Sequence, residues 1–471
     1  MFNSKLFIFF LVFPSISCDE LVDFVVNKMV NSSVDPCDNF YRHVCSDTSF
    51  GAYDLIGNIY NEEMNKTFNA TDDVSSYLIQ LLQCQKTEYV AGTVLQKLKS
   101  EYKLACENGR GKQFTLALRQ IFELPTTFAC DDTSDLYSFL DSLDSEISGF
   151  LNDICSRVVP STKERLWLHQ HMNVFDDFKN IFDSVKNVYY NWVEKTPSIN
   201  NNNVTGLYKL ILNSTHLEDQ SASDYIRALT REYKKCEALV GHWLNDSEVS
   251  NILCNIQIGA RYLQNIGEVD TNINAGNTLE SIGIGLKFFT AASNVETRAF
   301  YLGQYGFIIG HELGHSVIQS LGDSFDLFFS NRTTDCIESQ FRKTCSTFPE
   351  QSCKEYESRI DDDGADLLGG RGSIHIAMQE LGETFYQASE KYSGLTNAKL
   401  FFYGLASPLC NLAGFDEKHS PNVVRFNAVA VQSPEFQEAF QCKPNSKMMQ
   451  SLHRKCYILG ENASTQKHSG I

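Results

Sequence analysis

In the run YGFIIGHELGHSVIQSL, residues 305–321, apolar or small side chains surround almost the whole circumference of a helix, and the ionisable exceptions are His311, Glu312 and His315. A helix turns once per 3.6 residues, so the two histidines share one face a single turn apart. Imidazole nitrogens so placed can meet one zinc ion, and Glu312 beside them can take a proton from a water that zinc has acidified. Two packing histidines on a core helix are the alternative. An unpaired buried carboxylate costs too much to serve packing alone, which favours the metal.

A third donor must come from another stretch, and RIDDDGADLLGG, residues 359–370, is the obvious source. Asp362 and Asp366 are four apart and share a face if the segment is helical. One can bind metal while the other orients a histidine through its distal nitrogen. A solvated acidic turn is the competing reading, and the apolar ADLLGG that follows argues against it.

The chain has 471 residues, too many for one small core, and its 42% hydrophobic and 12% aromatic content is that of a packed globular protein. A formal net charge of -18, with no basic patch to override it, repels a phosphate backbone and excludes nucleic acid as a partner. Three- and four-residue apolar spacing over 74–82, 94–104, 136–150, 225–244 and 250–266 predicts helices. TPSINNNNVT, residues 196–205, reads as a loop. The glycine-rich stretch 272–289, with alternating Ile282, Ile284 and Leu286, is the best strand candidate.

The opening MFNSKLFIFFLVFPSISC reads as a secretory signal over residues 1–17, and no later stretch is apolar enough to anchor the chain in a membrane. Fifteen cysteines without a CxxC pair point to a disulfide framework rather than a thiolate metal site. Eight N-x-S/T sequons, at Asn31, Asn65, Asn69, Asn203, Asn213, Asn245, Asn331 and Asn462, agree with an extracellular location. His169 and His171 form an isolated HxH, and His43, His216, His242, His375, His453 and His468 show no useful partner spacing.

The chain resembles the neprilysin and endothelin-converting-enzyme family of zinc metallopeptidases. The motifs that carry the resemblance are VDPCDNFYRHVC, HELGH, DDDGADLLGG, LFFYGLASPLC and HSPNVVRFNAVAVQSPEFQEAFQCKPNSKMMQSLHRKC, in that order. The resemblance implies a mainly α fold with a small β-sheet, two-lobed and thermolysin-like, with a shortened helical capping lobe. The implied layout is a signal over 1–17, an N-terminal segment 18–66 tied by disulfides to the catalytic lobe, a capping lobe 67–205 and a catalytic lobe 206–471. It implies one Zn2+ per chain, held by His311, His315 and Asp362, with Glu312 as general base and Asp366 orienting a zinc histidine. His419 would stabilise the oxyanion, Arg425 would grip the substrate carbonyl, and Asn272 would bind substrate backbone. The implied disulfides are Cys37–Cys442, Cys45–Cys410, Cys336–Cys456 and Cys106–Cys236.

Four positions depart from the family pattern. Asp362 replaces a glutamate, so the carboxylate is one methylene shorter. Ile318 stands where the family carries an aspartate, NINA at 272–275 is all that matches its substrate-binding NAFY strand, and Leu459 replaces a terminal tryptophan. The implied activity is that of a secreted zinc metalloendopeptidase acting on small peptides. A catalytically impaired, peptide-binding relative is the alternative.

Overall fold

The computed structural model describes residues 19–45, 51–66, 68–76, 79, 91–122, 130, 134–142, 159–196, 204–219, 223–240, 253–254, 275–278, 280–318, 331–349, 359–410 and 419–460. The fold is mainly helical, with one three-stranded sheet among these residues. They fall into two compact units: one within Met1–Tyr60, Asp176–Glu218 and Asn272–Ile471, the other within Asn61–Phe175 and Asp219–Thr271. The units interleave in sequence, whereas the layout inferred from the motifs was contiguous. The described residues of 176–205, assigned above to the capping lobe, fall in the unit carrying HELGH, and those of 219–271 fall in the other.

The first unit contains α1 (Phe40–Val44), most of α2 (Met172–Lys195), β1 (His216–Leu217), β2 (Ala275–Asn277), β3 (Ser281–Ile284), α3 (Leu286–Ala292), α4 (Arg298–Ile318), α5 (Asn331–Thr347), α6 (Ile360–Leu381), α7 (Asn397–Ala406), α8 (Asn422–Gln432) and α9 (Pro434–Phe440). β3 lies at the centre of the sheet, parallel to β1 with Leu217 opposite Ile282, and antiparallel to β2 with Gly276 opposite Gly283. The strand expected over 272–289 is thus a short hairpin followed by a helix. Leu286 continues the alternation of Ile282 and Ile284 but opens α3, because Gly285 occupies the N-cap with extended backbone.

Helix α4 is the spine of this unit, and nearly all of its residues are buried, as the unbroken apolar run requires. Its contacts with α6 and α7 go through small residues. A Cβ on Gly303 would sit 2.0 Å from the Phe401 carbonyl oxygen of α7, and one on Gly369 of α6 would sit 2.7 Å from the His311 amide nitrogen. Only glycine permits backbones to approach so closely. The start of α4 is fixed by the buried Asp19 carboxylate, which accepts from the Glu296 and Thr297 amides at 2.7 and 2.9 Å. Arg298 then pairs with Asp177 of α2 at 2.7 Å and with Glu380 of α6.

An aromatic cluster of Phe40, Phe402, Phe436 and Phe440 packs α1 against α7 and α9. Disulfides Cys37–Cys442 and Cys45–Cys410 close chain separations of 405 and 365 residues around it, and Cys336–Cys456 ties α5 to the last described segment. Cross-links over such long loops remove much conformational freedom from the unfolded chain.

The second unit is mainly helical where described, with helices Ala91–Glu107, Gly111–Phe122, Ser134–Ser142, Val159–Gln170 and Ser223–Val240. The expected Cys106–Cys236 bridge is absent. Cys106 pairs with Cys130 and Cys236 with Cys254, at Cα separations of 5.5 and 5.6 Å. Both bridges close short local loops, 24 and 18 residues apart, which bring their cysteines together without any long-range partner. His169 of the HxH pair meets Asp72 at 2.8 Å and His171 stacks on Trp167, so both have structural partners.

Candidate metal centre

His311 and His315 emerge from one face of α4 with their Nε2 atoms 3.0 Å apart and their ring planes at 88°. Directly across from them runs α6. A Cβ on Gly310 would lie 3.0 Å from the Gly369 Cα, and one on Gly314 would lie 3.0 Å from the Ala365 Cα, so this face of α4 lies against the α6 backbone. The close approach offsets the missing methylene of Asp362. Its Oδ1 comes to 3.5 Å from His315 Nε2 and 4.0 Å from His311 Nε2. Zinc with bonds of about 2.0–2.2 Å places tetrahedral donors roughly 3.3–3.6 Å apart, so these separations of 3.0, 3.5 and 4.0 Å bracket the requirement. Two imidazoles and one carboxylate are also a donor set that zinc favours, and the three residues fit the ion.

Behind the donors, a buried chain of charges orients His311. Its Nδ1 lies 2.9 Å from Asp366 Oδ1, and Asp366, fully buried, is gripped by Arg425 Nε and Nη2 at 2.7 Å each. Burial alone would raise the Asp366 pKa, but the charge and paired hydrogen bonds of Arg425, with His311, hold the carboxyl well below the usual range. Burial would lower the His311 pKa, and its bond to Asp366 reverses that shift. His315 has the opposite balance: burial and the neighbouring His311 pull its pKa down to about 3. It is therefore the neutral imidazole that a metal requires.

Glu312 is 9% exposed, and burial, reinforced by the nearby Asp362, raises its pKa above the ordinary carboxylate range. Burial likewise raises the pKa of Asp362, against the pull of His419. The His419 side chain is 36% exposed, with its Nε2 3.2 Å from Asp362 Oδ1. The structure thus gathers His311, Glu312, His315, Asp362, Asp366, His419 and Arg425 in one place. Arg425, expected to face substrate, has two of its guanidinium nitrogens committed to Asp366. Asn272 lies outside the described residues. Ile318 is 1% exposed and packs toward Gly364, where a Cβ would meet its Cδ1 at 2.8 Å.

Three supports were missed in the sequence. Asn277 at the end of β2 donates to the Glu312 carbonyl and to Ser316 Oγ, pinning the sheet to the HELGH turn. Ser420 donates to Asp363 at 2.7 Å and ties the residue after His419 to the first turn of α6. Tyr189 of α2 donates to the Gly310 carbonyl at 2.8 Å. These contacts join residues far apart in the chain, and only the polar Asn277 beside the NINA motif offered any local hint.

Residues 288–456 match the family model described as peptidase family M13. Neprilysin-1 of Caenorhabditis elegans is 26% identical over 175 residues, which are 32% of this chain and 23% of that protein. The matched stretch is thus about a quarter of the relative's length. Among solved structures, the zinc metalloprotease Zmp1 of Mycobacterium tuberculosis in its open state aligns at 14% identity with a TM-score of 0.41, over 74% of this chain and 56% of that one. PepO from Lactobacillus rhamnosis HN001 aligns at 13% identity and a TM-score of 0.36, over 71% and 52%. A Haemonchus galactose containing glycoprotein complex aligns at 14% identity and a TM-score of 0.45, over 90% and 97%. The matched stretch 288–456 contains the whole constellation of α4, α6 and α8 described above, so the part of the chain that carries the candidate metal centre is similar to peptidase family M13.

Proposed function

We propose that the protein is a secreted zinc-dependent endopeptidase that cleaves small peptides. The observation that carries this reading is the convergence of His311 Nε2, His315 Nε2 and Asp362 Oδ1 beside the buried Glu312. Zinc bound there would supply a Lewis acid that polarises a peptide carbonyl and acidifies a water.

The chain's own residues would do the rest. Glu312 accepts the proton of the attacking water and returns it to the leaving amine, and a pKa raised by burial suits it to both transfers. His419, at the accessible side of Asp362, offers Nε2 as a donor to the negative charge that develops on the carbonyl oxygen. Arg425 locks Asp366, and Asp366 holds His311 Nδ1 so that Nε2 faces the metal. β2 is an edge strand, so an extended peptide could add to it by backbone pairing. Secretion rests on the apolar N-terminal run, the sequons and the disulfides. No helix among the described residues is long and apolar enough to cross a membrane.

The test is cleavage of a quenched fluorescent peptide by the purified full chain, with and without a chelator. Cleavage should stop on chelation and return with zinc, and Glu312→Gln should keep zinc while losing turnover. A zinc-loaded wild type that binds the peptide without cutting it would transfer the protein to the peptide-binding alternative.

A further inference from the structure

On α6, Arg371 lies nine residues beyond Asp362, which at about 100° per residue puts it half a turn round the helix from the metal donors. There it enters a cavity of about 300 Å³, lined by Trp192, Lys195, Leu368, Arg371, Tyr457, Leu459 and Gly460. The volume is at the lower end of the range for small-molecule sites. Its walls divide chemically. Leu368 and Leu459 are 1% and 6% exposed and form an apolar base with the Trp192 indole, while Lys195 is exposed and adds a positive charge to the lining.

Arg371 is partly buried, and the Tyr457 ring centroid lies 4.9 Å from its Cζ. Among the described residues it has no ion pair with a carboxylate, and a guanidinium in such a setting usually has one. Burial pulls its pKa down to about 10, with only partial relief from Tyr457 and Glu435, so the group is charged at neutral pH. Lys455, another cation close enough to feel Arg371, is turned to the Val431 and Gln432 carbonyls. In a chain with a net charge of -18, this is a local concentration of positive charge around an apolar hole.

We propose that the cavity is a binding site for a small amphipathic carboxylate. Arg371 takes the carboxylate as a forked donor, Lys195 adds charge, and Trp192, Leu368 and Leu459 hold the apolar body. A planar guanidinium matches a carboxylate edge to edge, and the apolar walls select an organic acid over an inorganic anion.

The experiment is calorimetric titration of the zinc-loaded full chain with octanoate, with octylammonium as the same chain bearing the opposite charge. Octanoate should bind at one site per chain and octylammonium should not, and Trp192→Phe should remove the accompanying change in tryptophan fluorescence. Arg371→Met should weaken octanoate at least about tenfold, the loss of one charge-assisted pair. Leu459→Trp keeps every charge, fills the hole and should abolish binding while zinc content stays at the wild-type level. If Arg371→Met does not fold, Leu459→Trp decides. The proposal is overturned if octanoate does not bind, if octylammonium binds as well, or if folded Arg371→Met or Leu459→Trp binds octanoate like wild type.

Discussion

Replacing Gly369 with alanine tests how the metal centre is assembled. The new Cβ would sit 2.7 Å from the His311 amide nitrogen and 2.9 Å from the Phe307 carbonyl oxygen, both backbone atoms of α4 that cannot rotate away. Ordinary contact begins at 3.4 Å, so α6 must retreat by about 0.7 Å. A rigid retreat of that size would carry Asp362 Oδ1 from its present 3.5 and 4.0 Å to about 4.2 and 4.7 Å from the two imidazoles. No single zinc position then serves all three donors at normal bond lengths. The overpacking should cost about 1–3 kcal/mol, partly offset by the roughly 1 kcal/mol helix preference of alanine over glycine. Zinc affinity should fall by at least about 10- to 100-fold. Gly364→Ala on the same helix is the control, because its Cβ meets the movable Ile318 Cδ1 rather than backbone. Competition with a chelating dye reads the affinity, and thermal unfolding of the apo protein reads stability. The reasoning is refuted if Gly369→Ala holds zinc as tightly as wild type, or if Gly364→Ala loses it to the same degree.

Arg425→Met should destabilise the fold by about 3–5 kcal/mol in urea denaturation, because it strands the buried Asp366 charge; a loss under 1 kcal/mol would show the pair to be dispensable. Asp366 has a depressed pKa in the folded state. Its contribution is therefore present above the unfolded value near about 3.9 and is lost as pH falls through the folded value. The stability gap between wild type and Asp366→Asn should accordingly shrink on acidification below about pH 4, and a gap that widens there contradicts the assignment. Asp362→Glu should weaken zinc binding, because the close packing of α4 and α6 is already matched to the shorter side chain, and an affinity equal to or above wild type would contradict that match. Peptide mapping under non-reducing conditions should recover Cys106–Cys130 and Cys236–Cys254, and a Cys106–Cys236 peptide would contradict the second unit as described.

The parts of this molecule that were legible in its sequence are those set by local periodicity. His311 and His315 one turn apart, and Asp362 and Asp366 likewise, follow from helix geometry alone once the flanking runs are read as helical. What brings the two pairs together was not legible. It depends on Gly310 and Gly314 facing Ala365 and Gly369, a match between helices some fifty residues apart that no periodicity encodes. Leu286 kept the period of a strand but lies in a helix, because the extended Gly285 ends the strand and begins a new element. The Cys106 pairing failed for a related reason, since disulfide connectivity depends on which loops close in space. Arg425 could be placed near the centre by resemblance, while its two-pronged hold on Asp366 needed the three-dimensional arrangement.

Zinc stoichiometry tests the central claim most directly. Metal analysis of the purified full chain, after dialysis against excess zinc and then zinc-free buffer, should give one zinc per chain for wild type and close to none for His311→Ala. Wild-type content well below one, or a His311→Ala variant that retains a full equivalent, would contradict it.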